Sequence, residues 1–258
     1  MPAEVTRPAQ SGYADVNGLH MYYELYGSGS QLVLLHGGML TIDLNFASLI
    51  PTLARAHQVI GVELQGHGRT ADIDRAITPR HLAGDVVALL DHLDIPSAHV
   101  CGHSMGGAVA MELAIRHPDR VRNVVAASVT VRPEGLHDDL TDPAKQATST
   151  RMPTAQDFQD FRDAYQRLSP HPEHFDEFLA SLSASTADTQ GWSDEQLARI
   201  SAPILLVIGD RDFTTVDHAS LMLELIPGSQ LAVLPDTTHM HVTRRADLLL
   251  PMLDRFLD

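Results

Sequence analysis

The stretch that decides the fold of this chain is His99-Val100-Cys101-Gly102-His103-Ser104-Met105-Gly106-Gly107-Ala108. An apolar run leads into the serine, and a helical pattern begins directly after it. Ser104 stands between two glycines in the pattern Gly-x-Ser-x-Gly, and glycine has no Cβ to obstruct a strand and a helix that pass close together. We therefore predict a strand–turn–helix unit that projects the Ser104 hydroxyl from a tight turn.

Strand and helix patterns alternate on both sides of this unit. Asn17-Gly18, between two β-type runs, predicts an amino-terminal hairpin. Continuous apolar runs are typical of strands that are covered on both faces, as in a parallel sheet, and they occur at 31–36, 58–64, 122–127 and 203–208. Helical patterns such as Pro79–Leu93 lie between them. The alternation predicts an α/β fold, with an open, mostly parallel central sheet flanked by helices.

The alternation stops between residues 131 and 191. This segment contains two helical stripes that carry four of the seven phenylalanines, Phe158, Phe161, Phe175 and Phe178. We interpret it as a small helical lid with an apolar underside. The predicted organisation is a flexible amino-terminal tail at 1–12, the first part of the core α/β domain at 13–130, the lid at 131–191 and the second part of the core at 192–258.

Composition excludes several classes of function. The 258 residues suffice for one α/β domain with an insertion. The formal net charge of −15 argues against nucleic acid and anionic membranes as partners, because both require clustered cations. The single cysteine, Cys101, excludes an internal disulfide and fits a reducing compartment. Residues 1–12 lack the apolar centre of a signal peptide, and no apolar run reaches about eighteen residues, so we expect a cytoplasmic protein without a membrane span.

Candidate partners for Ser104 follow the last two predicted strands. A serine hydroxyl becomes a strong nucleophile only when a base lies within hydrogen-bond reach and a third group orients that base. Functional groups gather at the carboxyl ends of the strands in an open parallel sheet. Asp212 and His239 stand in loops at such ends, and Asp210 and His241 are the alternatives for the acid and the base.

Four motifs in order make the chain resemble the α/β-hydrolase superfamily, in the branch of lidded serine esterases, haloperoxidase-like hydrolases and carbon–carbon-bond hydrolases. The resemblance runs from about Tyr13 to the carboxyl terminus. The motifs are His36-Gly37-Gly38, Gly66-His67-Gly68, Gly102-His103-Ser104-Met105-Gly106-Gly107, and Gly209-Asp210-Arg211-Asp212 with Thr238-His239. One departure is Glu63-Leu64-Gln65, where relatives usually carry an Asp and an Arg, and it affects the expected bonding of the following turn.

The resemblance implies a role for each site residue. Ser104 would be the nucleophile, His239 the general base and then acid, and Asp212 its orienting partner, since the superfamily usually uses the second acid of a Gly-Asp-x-Asp turn. The backbone N–H groups of Met105 and Gly38 would form the oxyanion hole, with Met39 as second choice for the latter. Substrate contacts are expected from Met39, His103, Phe158, Phe161 and Phe178.

The predicted function is hydrolysis of a carboxylic ester or lactone through an acyl-enzyme. A medium-sized apolar substrate is expected from the aromatic lid, and a macrolide-type lactone is one candidate. The alternatives are a carbon–carbon-bond hydrolase or perhydrolase with the same triad, and a ligand-binding sensor with little turnover. Haloalkane dehalogenases and epoxide hydrolases are disfavoured, because those relatives carry Asp where Ser104 stands.

No cofactor is expected. The pairs His171/His174 and His239/His241 could be drawn as metal ligands, but neither comes with a matching set of carboxylates or cysteines, so we predict no metal site. The expected partner is a small-molecule substrate, and the chain is expected to be a monomer or a homodimer.

Overall fold

An eight-stranded sheet forms the centre of the protein. The structure is a computed structural model, and it describes residues 7–187 and 191–258. The strands are β1 (Gln10–Val16), β2 (Leu19–Tyr26), β3 (Ser30–Leu35), β4 (His57–Val62), β5 (Ala98–His103), β6 (Val121–Ala127), β7 (Ile204–Arg211) and β8 (Gln230–Thr238).

The sheet is parallel except at one edge. Its order is β1-β2-β4-β3-β5-β6-β7-β8. β1 pairs antiparallel with β2, and β2 antiparallel with β4, whereas all the pairs from β4 to β8 are parallel. The predicted α/β fold with a mostly parallel sheet is confirmed, and so is the amino-terminal hairpin.

Helices cover both faces of the sheet. They are α1 (Ile42–Phe46), α2 (Ile50–Leu53), α3 (Pro79–His92), α4 (Met105–Arg116), α5 (Asp138–Thr141), α6 (Pro143–Gln146), α7 (Ala155–Leu168), α8 (Phe175–Ala187), α9 (Asp194–Ala198), α10 (Val216–Leu225) and α11 (Ala246–Leu257). Short 3₁₀ turns lie at Pro118–Arg120, Pro133–Gly135, Pro172–His174 and His239–Arg244. None of the helices within the described residues is long and apolar enough to cross a membrane.

Alternate side chains of the strands enter two apolar layers. On β5, Val100 packs into the layer that contains α3 and α4, and Cys101 packs into the opposite layer with α11. Every residue of β5 is buried. This strand lies in the middle of the sheet, so its carboxyl end, where Ser104 follows, is surrounded by the loops after the neighbouring strands.

The tail boundary at residue 12 is wrong by three residues. Gln10–Gly12 belong to β1 and pair with residues of β2, so the backbone groups that face β2 are hydrogen-bonded. The first side chains of this edge strand are mostly exposed, so the alternation of apolar and polar residues does not indicate where the strand begins. Residues 1–6 of the predicted tail lie outside the described residues.

The segment from 131 to 191 is helical where the structure describes it. It holds α5, α6, α7 and α8 between β6 and α9. The Thr154 side chain accepts from the Asp157 N–H, and the Asp157 carboxylate accepts from the Thr154 N–H, which fixes the start of α7. Residues 188–190 lie outside the described residues. The role of the segment as a lid stays a prediction.

Candidate active site

Ser104 lies at a sharp turn between β5 and α4. Its backbone has φ 53° and ψ −115°, a conformation that costs energy in any residue with a Cβ. The two flanking glycines permit this turn. A Cβ on Gly102 would lie 2.1 Å from the carbonyl oxygen of Gly106, and one on Gly106 would lie 2.0 Å from that of Leu35. Strand and helix therefore approach closely enough to raise the Ser104 hydroxyl above the sheet.

Three side chains meet at this turn. The Ser104 Oγ lies 2.9 Å from the Nε2 of His239, and the His239 Nδ1 lies 2.7 Å from the Oδ1 of Asp212. The ring of Phe213 stacks on the His239 ring, with 3.8 Å between centroids. Asp212 follows β7 and His239 follows β8, so the parallel sheet brings together three residues that are far apart in the sequence.

Asp212 is held as an anion. Its carboxylate is fully buried and accepts hydrogen bonds from the Ser128 hydroxyl at 2.6 Å and from the Gly209 and Phe213 N–H groups at 3.1 and 2.6 Å. Burial alone would raise its pKa, but the charge of His239 and these hydrogen bonds outweigh burial and lower the pKa to about 2. The ionised carboxylate can orient the Nδ1–H of His239.

The two alternatives from the sequence lie elsewhere. The exposed Asp210 accepts from the Thr237 N–H at 3.0 Å, and the Nδ1 of His241 pairs with the Thr238 hydroxyl at 2.7 Å. Neither has a hydrogen bond to Ser104 or His239 among the described residues. Of the two acids and two bases, the structure brings Asp212 and His239 to Ser104.

The backbone N–H groups beside Ser104 differ in availability. Met105 is the first residue of α4, where helix N–H groups have no partner within the helix and favour negative charge. Gly38 lines the cavity beside Ser104. The Met39 N–H instead donates to the Nε2 of His67 at 3.1 Å. The geometry therefore favours Gly38 over Met39 as the second donor to an oxyanion.

Two buried histidines brace the loop after β3. His36 donates from Nδ1 to the Gly37 carbonyl at 2.8 Å and accepts the Leu64 N–H at Nε2, 3.1 Å away. Burial lowers the pKa of His36 well below its usual value and that of His67 to about 4. Both rings are therefore neutral at neutral pH, and each can accept one backbone N–H at Nε2.

Among the residues that the structure describes, two cavities open from Ser104. Both are lined by Ser104, Met105, Ala108, Phe213 and His239. The first, of about 320 Å³, has a mostly apolar wall that includes Gly38, Met39, Leu179, Leu182 and Met240. The second, of about 230 Å³, is bordered by residues such as Val129, Val131, Pro133 and Leu136. The site thus offers space in two directions from one hydroxyl.

The predicted substrate contacts are only partly placed at these cavities. Met39 lines the first cavity. His103 is buried below His239, and Phe158 is 44% exposed. Phe161 packs with Leu40 and Met240, and Phe178 packs edge-on against the ring of His67. His103 and the three phenylalanines do not line either of these two cavities, and their contact with a substrate stays a prediction.

The sequence reading missed Leu179 and Leu182 of α8, which line the first cavity. Leu182 belongs to the same helical stripe as Phe178, and it is the leucines that face Ser104. Phe213 was also missed, although its position directly after Asp212 was a usable signal.

The stretch Glu63-Leu64-Gln65, which differs from the residues usual in relatives, is held by hydrogen bonds of the Glu63 and Gln65 side chains. Glu63 is fully buried and accepts from the Arg69 N–H at 2.6 Å and from its guanidinium at 2.8 Å. The Gln65 amide donates to the Asp72 carboxylate and to the Arg75 carbonyl, both at 2.8 Å. The turn that carries His67 is therefore well bonded despite the unusual residues.

One group of described side chains could gather around a metal ion. His171, Glu173 and His174 have ligand atoms within 4.8 Å of one another, and all three are exposed. They lie between α7 and α8 and do not line either cavity beside Ser104. The absence of a metal from the reaction stays a prediction.

A sequence profile of the α/β hydrolase fold matches residues 31–175, which is more than half of the chain. The chain belongs to the α/β-hydrolase family. It is 30% identical to 3-oxoadipate enol-lactonase 2 of Acinetobacter baylyi, over 82% of this chain and 84% of that protein.

Solved structures agree with this assignment. The enol-lactonase from Burkholderia xenovorans LB400 superposes with a TM-score of 0.76 at 25% identity, covering 95% of this chain and 99% of that one. Est816, described as an N-acyl homoserine lactone degrading enzyme, gives a TM-score of 0.70 at 27% identity, covering 95% and 99%.

Some relatives are considerably longer. The chain is 35% and 31% identical, over 54% and 88% of its length, to acetyltransferase components of acetoin-cleaving systems from Cupriavidus necator and Pseudomonas putida. It spans 37% and 64% of the length of those two proteins.

Proposed function

We propose that this chain hydrolyses carboxylic esters or lactones through an acyl-enzyme on Ser104. The observation that carries the proposal is the hydrogen-bonded line from Ser104 through His239 to the ionised Asp212, at the base of an apolar cavity. A hydroxyl, a base and an orienting carboxylate in this order are the parts that acyl transfer needs.

The proposed reaction begins when the Ser104 Oγ attacks the carbonyl carbon and its proton passes to the Nε2 of His239. The carbonyl oxygen becomes an oxyanion, which the N–H groups of Gly38 and Met105 stabilise. His239 then gives the proton to the departing alcohol oxygen, and the ester C–O bond breaks. In a lactone the alcohol stays attached to the acyl group.

Deacylation reuses the same groups. A water molecule loses a proton to the Nε2 of His239 and attacks the acyl carbon. The second tetrahedral intermediate collapses, the proton returns to the Ser104 Oγ, and the carboxylic acid leaves. Asp212 keeps the Nδ1–H of His239 in place throughout and stabilises the positive charge that His239 acquires twice.

The cavities support a substrate of medium size with apolar substituents. Once Oγ and the oxyanion are placed, a tetrahedral carbon has two further substituents, and the described residues line two cavities that start at Ser104. The larger, at about 320 Å³, falls at the lower end of small-molecule sites and is mostly apolar. Lactones are supported as substrates by the relatives whose names specify enol-lactones and an N-acyl homoserine lactone.

The experiment is covalent labelling followed by a substrate panel. A fluorophosphonate probe should modify Ser104 in the folded protein, as located by peptide mass spectrometry, and it should not modify the Ser104→Ala variant. The panel contains p-nitrophenyl esters of graded chain length and lactones of increasing ring size, including a macrolide. We expect turnover that is greatest for medium-sized apolar members.

Two results would contradict the proposal. Failure of the probe to label Ser104 would favour a binding protein with little turnover. Labelling without turnover of any ester or lactone would favour carbon–carbon-bond hydrolysis or perhydrolysis with the same three residues.

A further inference from the structure

A buried asparagine outside the Ser104–His239–Asp212 line connects two of the loops around the site. Asn45, in the last turn of α1, is 2% exposed. Its Oδ1 accepts the Gly37 N–H at 2.8 Å, and its Nδ2 donates to the Thr243 hydroxyl at 2.7 Å. Gly37 precedes the proposed oxyanion donor Gly38. Thr243 lies in the 3₁₀ turn that begins at His239.

These two bonds determine the orientation of the Asn45 amide. Gly37 offers a donor, so it requires the oxygen, and a reversed amide would place its NH₂ against that N–H. The Ser48 hydroxyl donates to the Thr243 carbonyl at 3.1 Å, which adds a second tie from the α1–α2 region to the same turn. The loop after β3 and the turn of the general base are thus held by one short segment.

His103 lies beside Asn45 and contacts the same turn of His239. Its Nε2 lies 2.9 Å from the His239 carbonyl oxygen, and its Nδ1 lies 3.2 Å from the Asn45 Oδ1. Both partners are acceptors, and burial lowers the pKa of His103 to about 3, so the neutral ring has one N–H to donate. We assign that N–H to Nε2, because the contact with His239 is the shorter. The Nδ1 of His103 then carries no proton and forms no hydrogen bond with the Asn45 Oδ1, which accepts from the Gly37 N–H.

We propose that Asn45 is a positioning residue that fixes the distance between the loop after β3, which carries Gly38, and the general base His239. It does so through its hydrogen bonds with Gly37 on one side and Thr243 on the other. It touches no reacting atom. The inference rests on the proposed function, because it assumes that Gly38 and His239 act on the same tetrahedral intermediate. Errors of about 1 Å in such a distance can lower turnover by about a hundredfold.

A merely structural role would have a different signature. Buried polar side chains are normally hydrogen-bonded, and losing such a bond destabilises the protein whatever its place. A positioning role affects the transition state more than the ground state, so kcat should fall while KM stays nearly constant. Affinity for an inhibitor that forms a tetrahedral adduct with Ser104 should fall with kcat.

The test uses Thr243→Val, which keeps the side-chain shape and removes the hydroxyl that Asn45 binds. Thr243→Ser retains a hydroxyl and is the matched control. With an ester that the wild type hydrolyses, we expect kcat of Thr243→Val to fall about tenfold, as the loss of one buried hydrogen bond implies. KM should stay within about twofold, and the affinity for a trifluoromethyl ketone should fall in parallel with kcat. Thr243→Ser should recover most of the loss.

A double-mutant cycle with Asn45→Ala assigns the effect to the bridge. Because the two variants break the same bond, the further loss of kcat caused by Thr243→Val should nearly vanish in the Asn45→Ala background. Two results would overturn the inference. One is a kcat of Thr243→Val equal to that of the wild type. The other is a loss of stability in Thr243→Val while the ratio of the inhibition constant Ki to KM stays unchanged. If Asn45→Ala does not fold, the comparison of Thr243→Val with Thr243→Ser decides alone. Activity in Ser104→Ala would instead overturn the proposed function, which keeps the two failures distinct.

Discussion

Two aspartates separated by one residue have opposite surroundings. Asp212 is fully buried and accepts from Ser128, His239 and two backbone N–H groups. Asp210 is exposed and accepts from the backbone after β8. The sequence placed both acids at the end of one strand and could not choose between them on spacing, because burial depends on the residues that cover the loop.

Exchanging each acid for its amide tests this difference. Asp212→Asn should lower kcat for ester hydrolysis by about 10⁴, because the amide no longer holds His239 in the tautomer that accepts the Ser104 proton. Asp210→Asn is the matched control and should change kcat by less than about threefold. Both are measured at pH 7.5 on folded protein. A larger loss in Asp210→Asn than in Asp212→Asn would contradict the assignment.

At the scale of elements, the turn after β4 shows how a local departure is absorbed. Glu63 is buried beside Arg69, which binds it through both backbone and guanidinium. Burial raises the pKa of Glu63 to about 7, and the contacts with Arg69 oppose this rise only in part. The folded state therefore holds a proton on Glu63 at pH values where the unfolded chain has lost it.

The raised pKa of Glu63 predicts that its contribution to the free energy of unfolding depends on pH. Between the unfolded pKa of 4.5 and the folded pKa of about 7, the folded protein binds more protons, so the Glu63 contribution to the free energy of unfolding falls as pH rises. Relative to Glu63→Gln, the wild type should lose up to about 3 kcal/mol between pH 4.5 and 7.5. Urea unfolding of both proteins across that range measures the difference. A constant difference, or one that favours the wild type more as pH rises, would contradict the pKa.

Helix α8 shows the limit of reading a helical stripe. The stripe correctly indicates that one side of the helix is buried, and Phe175, Phe178 and Leu182 are indeed buried. It cannot indicate what lies opposite each side chain. Phe178 meets His67, whereas Leu179 and Leu182 meet the cavity at Ser104. The sequence pattern therefore did not single out the two leucines that line this cavity.

At the scale of the whole molecule, the fold could be predicted from the sequence, whereas the shape of the cavity could not. Each buried strand carries its own apolar run, and each helix its own periodicity, so the order of elements can be deduced locally. The cavity wall combines Gly38, Leu182 and Met240 from three distant parts of the chain. Its shape depends on packing between elements, for which a single sequence offers no local signal.

The central claim is that Ser104 forms the acyl bond, and the turnover of Ser104→Ala tests it most directly. The variant lacks the nucleophile but keeps the fold, since the Ser104 side chain makes no capping hydrogen bond to α4. With an ester that the wild type hydrolyses, we predict that kcat falls by about 10⁶. Turnover close to that of the wild type, in folded Ser104→Ala of verified sequence, would contradict the account.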